Sequence, residues 1–423
     1  MPKNWKTYKF EELYNIASGL SKSRDQFGFG HPFVTFKDVF YNWFLPEELG
    51  DLANTNEKEQ KKGGIKKGDI ILTRTSETLH ELGMSSVALK DYPNSTFNGF
   101  CKRLRQKDES SIKIEPVFMA YFLRSHYFRN EVSKYATMTT RASLNIAAIN
   151  SLSITLPPFN EQQKIASILK PLDDKIENNL AMNKTLEEMA MALYKHWFVD
   201  FGPFKDGKFI DSELGKIPEG WEVKGLLEIV GLLTGGTPKT KIEEYWNGNI
   251  KWVSAKDLGN NGSIYTTETE RTITPKGIEK SAAKILPEDS TIIVARGSVG
   301  KMGMLAHPMA INQSCFGLYP KDNYSPGIIY LLICKLVDRF QRISYGSVFD
   351  TITTSAFSTT QVISPPKQLI EELGLSIDPM FKTIKENTLE NKTLAKLRDT
   401  LLPKLISGEV RLKEFEEKLT APL

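Results

Sequence analysis

Few residues in this chain stand at spacings that chemistry could use. Gly202-Pro203-Phe204-Lys205-Asp206-Gly207-Lys208 fills the glycine and lysine positions of a phosphate-cradling loop. The next residue is Phe209, where a hydroxyl would have to hold Mg²⁺, and no strand pattern precedes the run, so it reads as a linker turn. Gly297-Ser298-Val299-Gly300-Lys301 is too short for the same task and reads as a turn between strands. Leu156-Pro157-Pro158-Phe159 approaches the Asn-Pro-Pro-aromatic tetrapeptide of adenine methyltransferases, but lacks the amide that would hold the adenine amino group. Phe27-Gly28-Phe29-Gly30 lacks the spaced glycines of a cofactor loop, and Glu59-Gln60-Lys61 and Glu416-Glu417-Lys418 match a nuclease fragment no better than chance. His31, His80, His126, His196 and His307 show no paired metal spacing, and Cys101, Cys315 and Cys334 no CxxC. No catalytic residue and no metal ligand is expected in this chain.

Composition narrows the class further. A length of 423 residues suits two to three domains, and 40% hydrophobic with 25% charged residues is ordinary globular composition. No apolar run is long enough for a membrane-spanning helix, and Met1-Pro2-Lys3-Asn4-Trp5-Lys6 is not a hydrophobic leader. Three scattered cysteines fit a reducing cytoplasm. The 55 basic and 51 acidic residues leave only +4, so any nucleic-acid contact must use local patches.

The elements that would position such patches come in duplicate. Trp5-Lys6-Thr7, Gly19 and Val34-Thr35-Phe36-Lys37-Asp38 have counterparts in Trp221-Glu222-Val223, Gly235-Gly236 and Val253-Ser254-Ala255-Lys256-Asp257. Gly68-Asp69-Ile70-Ile71-Leu72-Thr73-Arg74 parallels Asp289-Ser290-Thr291-Ile292-Ile293-Val294-Ala295-Arg296, which aligns Arg74 with Arg296. Leu156-Pro157-Pro158 and Asn183-Lys184-Thr185-Leu186 return at Ser364-Pro365-Pro366 and Asn391-Lys392-Thr393-Leu394, both 208 residues on. The chain is therefore expected to be a tandem repeat: a variable domain 1–158, a helix 159–203, a second variable domain 204–366, and a second helix and tail 367–423. Short β-branched runs at 69–73, 151–156, 251–253 and 291–294 predict strands, and 117–135 and 327–345 predict one helix in each copy, making the variable domains α+β.

The helical segments carry a heptad. Ile165, Leu169, Leu172, Ile176, Asn179, Asn183, Leu186, Ala190, Leu193 and Trp197 recur at alternating spacings of four and three, and Leu373, Ile377, Met380, Ile384, Asn387, Asn391, Leu394, Arg398, Leu401 and Leu405 repeat the seam. So narrow a stripe suits one helix pairing with the other better than a broad globular face. Two copies in one chain favour an antiparallel coiled coil with pseudo-two-fold symmetry, Asn179 facing Asn391 and Asn183 facing Asn387. That register sets Arg398 against Leu172, with its stem expected to snorkel outward. Pro171 and Pro379 are expected to kink the helices or split off a short first segment.

At this point the strings resemble a known family. Leu156-Pro157-Pro158-Phe159-Asn160-Glu161-Gln162-Gln163-Lys164-Ile165-Ala166, then Leu172-Asp173-Asp174-Lys175-Ile176 and Trp197-Phe198-Val199-Asp200-Phe201, are similar to the central shared region of the specificity (S) subunit of Type I restriction-modification enzymes. Ile217-Pro218-Glu219-Gly220-Trp221 opens the second half in the same likeness; Gly235-Gly236-Thr237-Pro238, Tyr245-Trp246, Trp252-Val253, Arg296-Gly297-Ser298-Val299-Gly300 and Asn312-Gln313 resemble a target-recognition domain of that family, and residues 397–409 its C-terminal region. The second copy departs at Lys367-Gln368-Leu369-Ile370, where the first has the Glu-Gln-Gln run.

The resemblance implies that each domain reads one half of a split site in double-stranded DNA and that the paired helices set the spacing. It also implies that two methyltransferase (M) subunits using S-adenosylmethionine dock on the helices. Restriction (R) subunits using ATP and Mg²⁺ would complete an endonuclease. Base reading needs Arg, Asn, Gln, Ser or Thr on loops, and phosphate contact needs Lys, Arg and hydroxyls. The candidates are Lys22, Arg24, Arg74, Thr75, Ser76, Thr139, Thr140, Arg141, Ser143 and Asn145 in the first domain. In the second they are Thr237, Lys239, Lys256, Arg296, Ser298, Lys301, Asn312, Gln313, Ser347 and Thr351. Residues 58–67 read as a lysine-rich loop. The competing readings are a coiled-coil scaffold with two protein-binding modules, separable by salt-sensitive binding to split-site DNA, and a stand-alone methyltransferase or nuclease, disfavoured by the missing motifs.

Overall fold

The computed structural model describes residues 2, 4–138, 141–259, 262–345 and 351–410. The chain divides into two compact units, residues 1–174 with 394–423, and residues 175–393. The boundary falls inside the two long helices, Phe159–Phe198 and Lys367–Ser407, so each unit holds a stretch of both.

In the first unit an antiparallel sheet runs in the order Tyr14–Ser18, Cys101–Gln106, Ile70–Thr73, Ser85–Val87. A smaller sheet places Phe27–Val34 between Leu52–Ala53 and Thr96–Phe97. Ile70–Thr73 is buried on both faces, as its unbroken apolar run requires. Its Ile70 and Leu72 join one core with Phe10, Phe118, Phe128 and the helix residues Ile165, Leu169, Leu402, Leu405 and Ile406, while Ile71 faces a second cluster with Val34, Phe97 and Cys101. Lys6–Lys9 pairs with Ser153–Leu156 at the entry to the first long helix.

The second unit repeats this plan with one more strand in each sheet. Its main sheet runs Val230–Thr234, Cys315–Pro320, Thr291–Val294, Met302–Leu305, Tyr265–Thr266. Its second sheet runs Arg271–Ile273, Trp246–Val253, Met309–Ile311, Ile285–Leu286. Phe27–Val34 and Trp246–Val253 are counterparts: each carries an irregularity in register and then pairs in parallel with a later strand.

Strand pairing corrects the alignment of the repeats. Thr73 lies opposite Cys101 and Val294 opposite Cys315, so Arg74 corresponds to Ala295 and Thr75 to Arg296. The sequence alignment slips by one residue because both copies place an arginine near the same strand end. Residues 117–135 are two helices, Pro116–Arg124 and His126–Tyr135, because the Ser125 hydroxyl caps the second at Phe128 N. The counterpart is the single helix Pro326–Tyr345. Residues 58–67 are in large part a helix, Glu57–Gly63, opened by a capping box of Asn56 and Glu59.

Pro171 and Pro379 neither break nor end their helices. Each removes the hydrogen bond to the carbonyl four residues earlier, and both those residues, Ser167 and Leu375, are exposed, so water can satisfy the orphan. The helices pair antiparallel. In the second unit Asn179 Nδ2 donates to Asn391 Oδ1 at 2.8 Å and Asn387 Nδ2 to Asn183 Oδ1 at 2.8 Å. In the first unit Arg398 does not snorkel outward. Its Nη1 meets Asp173 Oδ1 at 2.6 Å, and the other Asp173 oxygen accepts from Tyr121 Oη at 2.5 Å. The seam widens beyond the heptad: besides the seam residue Ala190, Tyr194 and Phe198 on one helix and Phe381 on the other join the core of the second unit. Trp197, Met380, Leu186 and Leu193 pack at its edge.

Candidate nucleic-acid interface

Both units build a cluster of loops from the same backbone bonds. In the first, Leu20 N donates to Phe97 O, Arg74 N to Phe100 O and Leu144 N to Arg74 O, at 2.8 to 2.9 Å. In the second, Gly236 N donates to Ile311 O, Ala295 N to Ser314 O and Ile352 N to Ala295 O, at 2.7 to 3.1 Å. A turn is shared as well. Asn98 Oδ1 accepts from Phe100 N, and Asn312 Oδ1 from Ser314 N. Glycine is obligatory beside this turn, because a Cβ on Gly19 would lie 2.1 Å from Asn98 O, and one on Gly235 2.0 Å from Asn312 O. Thr35–Asp38 and Ser254–Asp257 close both copies with the same hydroxyl–carboxylate pair.

These bonds gather Arg74, Thr75, Ser76, Ser143 and Asn145 in one unit, and Thr237, Arg296, Asn312, Gln313 and Thr351 in the other. Their availability differs. Arg24, Arg141, Lys239, Lys256, Arg296, Ser298 and Gln313 are exposed. Arg141 stands 3.9 Å from Glu77 and Lys256 4.0 Å from Glu270. Arg296 has no ion pair or hydrogen-bonded partner for its guanidinium among the described residues.

Several others are engaged internally. Lys22 Nζ bonds Glu59 Oε2 at 2.8 Å and the Asn54 carbonyl, and that lysine holds the Glu59 carboxyl below its usual range. Arg74 Nε holds Gly99 O, and Lys301 Nζ holds Ala255 O. Ser76 is buried with its hydroxyl toward Glu81, and Thr75 and Ser143 are register partners in a short sheet. Asn145 caps the helix Ile146–Ser151 through Ala148 N. Thr237 Oγ1 is buried with no partner among the described residues. Thr139, Thr140 and Ser347 lie outside the described residues.

Sequence reading passed over one cation, Arg271. Strand pairing sets it opposite Trp252, and its guanidinium carbon lies 3.5 Å from the Trp246 ring centre. The only signal would have been the pairing of two strands some twenty residues apart, which no local pattern reports. The Glu-Gln-Gln departure also has a physical reading. Gln162 is buried, donates to Pro157 O at 3.0 Å and accepts from Glu115 N at 2.9 Å, so its amide plugs a polar junction. At the matching place, 208 residues on, stands Ile370, buried in an apolar core.

The free cysteines are buried or half-buried, with their thiols pushed up to about 12 by burial. No group of three or more metal-binding side chains occurs among the described residues. What the clusters offer is a repeated platform of arginine, lysine, amide and hydroxyl groups on loops fixed by strand ends.

A duplicated α+β reading domain with paired helices is the architecture of a modular DNA-specificity protein. The comparisons agree. The family model of the Type I restriction modification DNA specificity domain matches residues 2–188 and 218–398. The HindI specificity subunit of Haemophilus influenzae is 27% identical, covering 96% of this chain and 100% of its own length. The MjaIX specificity subunit of Methanocaldococcus jannaschii is 28% identical, covering 98% and 95%. The crystal structure of the S subunit from M. genitalium matches in fold with a TM-score of 0.61 at 15% identity, covering 95% and 96%. The chain belongs to the Type I restriction modification DNA specificity family, of whose domain it carries two copies. It is a specificity subunit with two recognition domains.

Proposed function

We propose that this chain reads a bipartite site in double-stranded DNA, one half with each recognition domain, and performs no catalysis itself. Its paired helices set the distance between the half-sites and dock two methyltransferase subunits, which bring S-adenosylmethionine. Restriction subunits bring ATP and Mg²⁺ where the system includes them. The reading places the complex in the cytoplasm; no helix among the described residues is long and apolar enough to cross a membrane. The observation that carries it is the loop cluster built twice from equivalent backbone bonds, with an exposed arginine on it in each unit, Arg141 in the first and Arg296 in the second. Two similar clusters bearing different side chains are what reading two different half-sites requires.

Sequencing the methylated genome of the native host with the gene intact and deleted tests this. Loss of N6-methyladenine at one split motif on both strands is the expected result. An unchanged methylome, with no methyltransferase subunit recovered alongside the chain, would favour a scaffold.

A further inference from the structure

The second recognition domain holds a cation that the first does not. Trp246 and Trp252 meet edge to face with ring centres 5.2 Å apart. Both indoles are fixed to the glycine loop of the reading cluster: Trp252 Nε1 donates to Gly236 O at 2.9 Å and Trp246 Nε1 to Lys239 O at 3.3 Å. Arg271 lies against this pair, its guanidinium carbon 3.5 Å from one ring centre and 5.7 Å from the other. The residue is exposed, and its guanidinium has no carboxylate or hydrogen-bonded partner among the described residues.

The first domain keeps the platform and drops the cation. Phe27 and Phe33 stand in the places of Trp246 and Trp252, with ring centres also 5.2 Å apart. Opposite Phe33, where the second domain has Arg271, the chain has Asp51, whose carbonyl accepts from Phe33 N at 2.9 Å. Packing alone therefore does not need the arginine, since the aromatic pair closes without one.

A guanidinium stacked on an indole keeps the N–H groups at its edge free while its rotamers are restricted. Such a fork matches two acceptors side by side, and duplex DNA offers these as phosphate oxygens or as O6 and N7 of guanine. We propose that Arg271, pre-set on the Trp246–Trp252 pair, is a DNA contact of the second half-site alone, and that the first domain, with Asp51 there, makes no equivalent contact. This rests on the bipartite-reading function.

The test uses the full chain and fluorescent duplexes carrying the split motif returned by methylation mapping, with either half scrambled. Arg271→Ala should weaken binding to the duplex with only the second half intact by about ten-fold or more, and leave binding to the first half unchanged. Arg271→Lys should fall between, because an ammonium keeps the charge and loses the fork. A loss that is the same for every base substitution, with a salt slope reduced by about one, assigns the contact to phosphate. A loss confined to one base pair assigns it to guanine. If Arg271→Ala lowers only the melting temperature and binding holds, the arginine is packing on its tryptophans and the inference fails. The underlying function fails separately, if the unaltered chain shows no salt-sensitive preference for either half-site.

Discussion

Arg398, Asp173 and Tyr121 form a nearly buried chain of hydrogen bonds in the first unit, roofed by Trp43, whose ring lies 5.4 Å from the Arg398 guanidinium. Burial and the neighbouring Asp173 charge hold the Tyr121 phenol far above its usual range, so it stays a donor. Removing one partner would leave a desolvated charge behind, and Arg398→Ala should cost about 3–5 kcal/mol of stability in denaturant unfolding. Glu187 accepts from Tyr330 Oη at 3.1 Å, and burial raises its carboxyl. A raised acid is happiest protonated, so the native glutamate loses stability as pH climbs above the unfolded value near 4. Glu187→Gln should therefore melt higher than the unaltered chain at neutral pH, with the gap closing below about pH 4. Arg296→Ala should weaken one half-site by about 1–3 kcal/mol in a binding titration while leaving assembly with methyltransferase subunits intact. At this scale the sequence was least informative. It could propose Arg74 and Lys22 as DNA contacts by type, but their bonds to Gly99 O and Glu59 depend on loops brought in from far along the chain.

The paired helices show the opposite. Their seam and asparagine layers follow from residue spacing, because a coiled coil is nearly one-dimensional and its register is written as a heptad, and their antiparallel sense follows from the duplication within one chain. The layers are imperfect in an informative way. Asn179 Nδ2 serves both Asn391 and Glu390, while its own Oδ1 is buried without a partner among the described residues. Polar groups in a seam lower stability and fix register. Replacing Asn183 and Asn387 together with isoleucine should raise the thermal midpoint yet let the helices slip, which disulfide trapping between cysteines placed one heptad out of register would reveal. The split expected as one outcome at Pro171 and Pro379 does not occur, because the penalty depends on whether the orphaned carbonyl is dry. On these helices it belongs to an exposed residue, Ser167 or Leu375. The helix broken at Ser125 was missed for a similar reason: the apolar period continues across a serine that caps the next helix.

At the scale of the chain, the repeat announced the duplicated domains, and the two α+β cores follow that plan. What the repeat could not convey was how the segments are shared out. The first unit is discontinuous in sequence, since Leu402, Leu405 and Ile406 complete the core begun by Phe10 and Leu13. The second unit is one uninterrupted stretch. Ending the chain after Thr393 should therefore strip amide protection from the first unit in hydrogen exchange while residues 175–393 keep theirs.

That discontinuity also sets an order of events on the ribosome. The recognition domain made first must wait, its hydrophobic interior open, until the last helix has been translated, whereas the domain made second can close as soon as its own residues emerge. The N-terminal half is thus the last to mature, and a stalled or prematurely terminated message yields a product able to hold one half of its intended address but not the other.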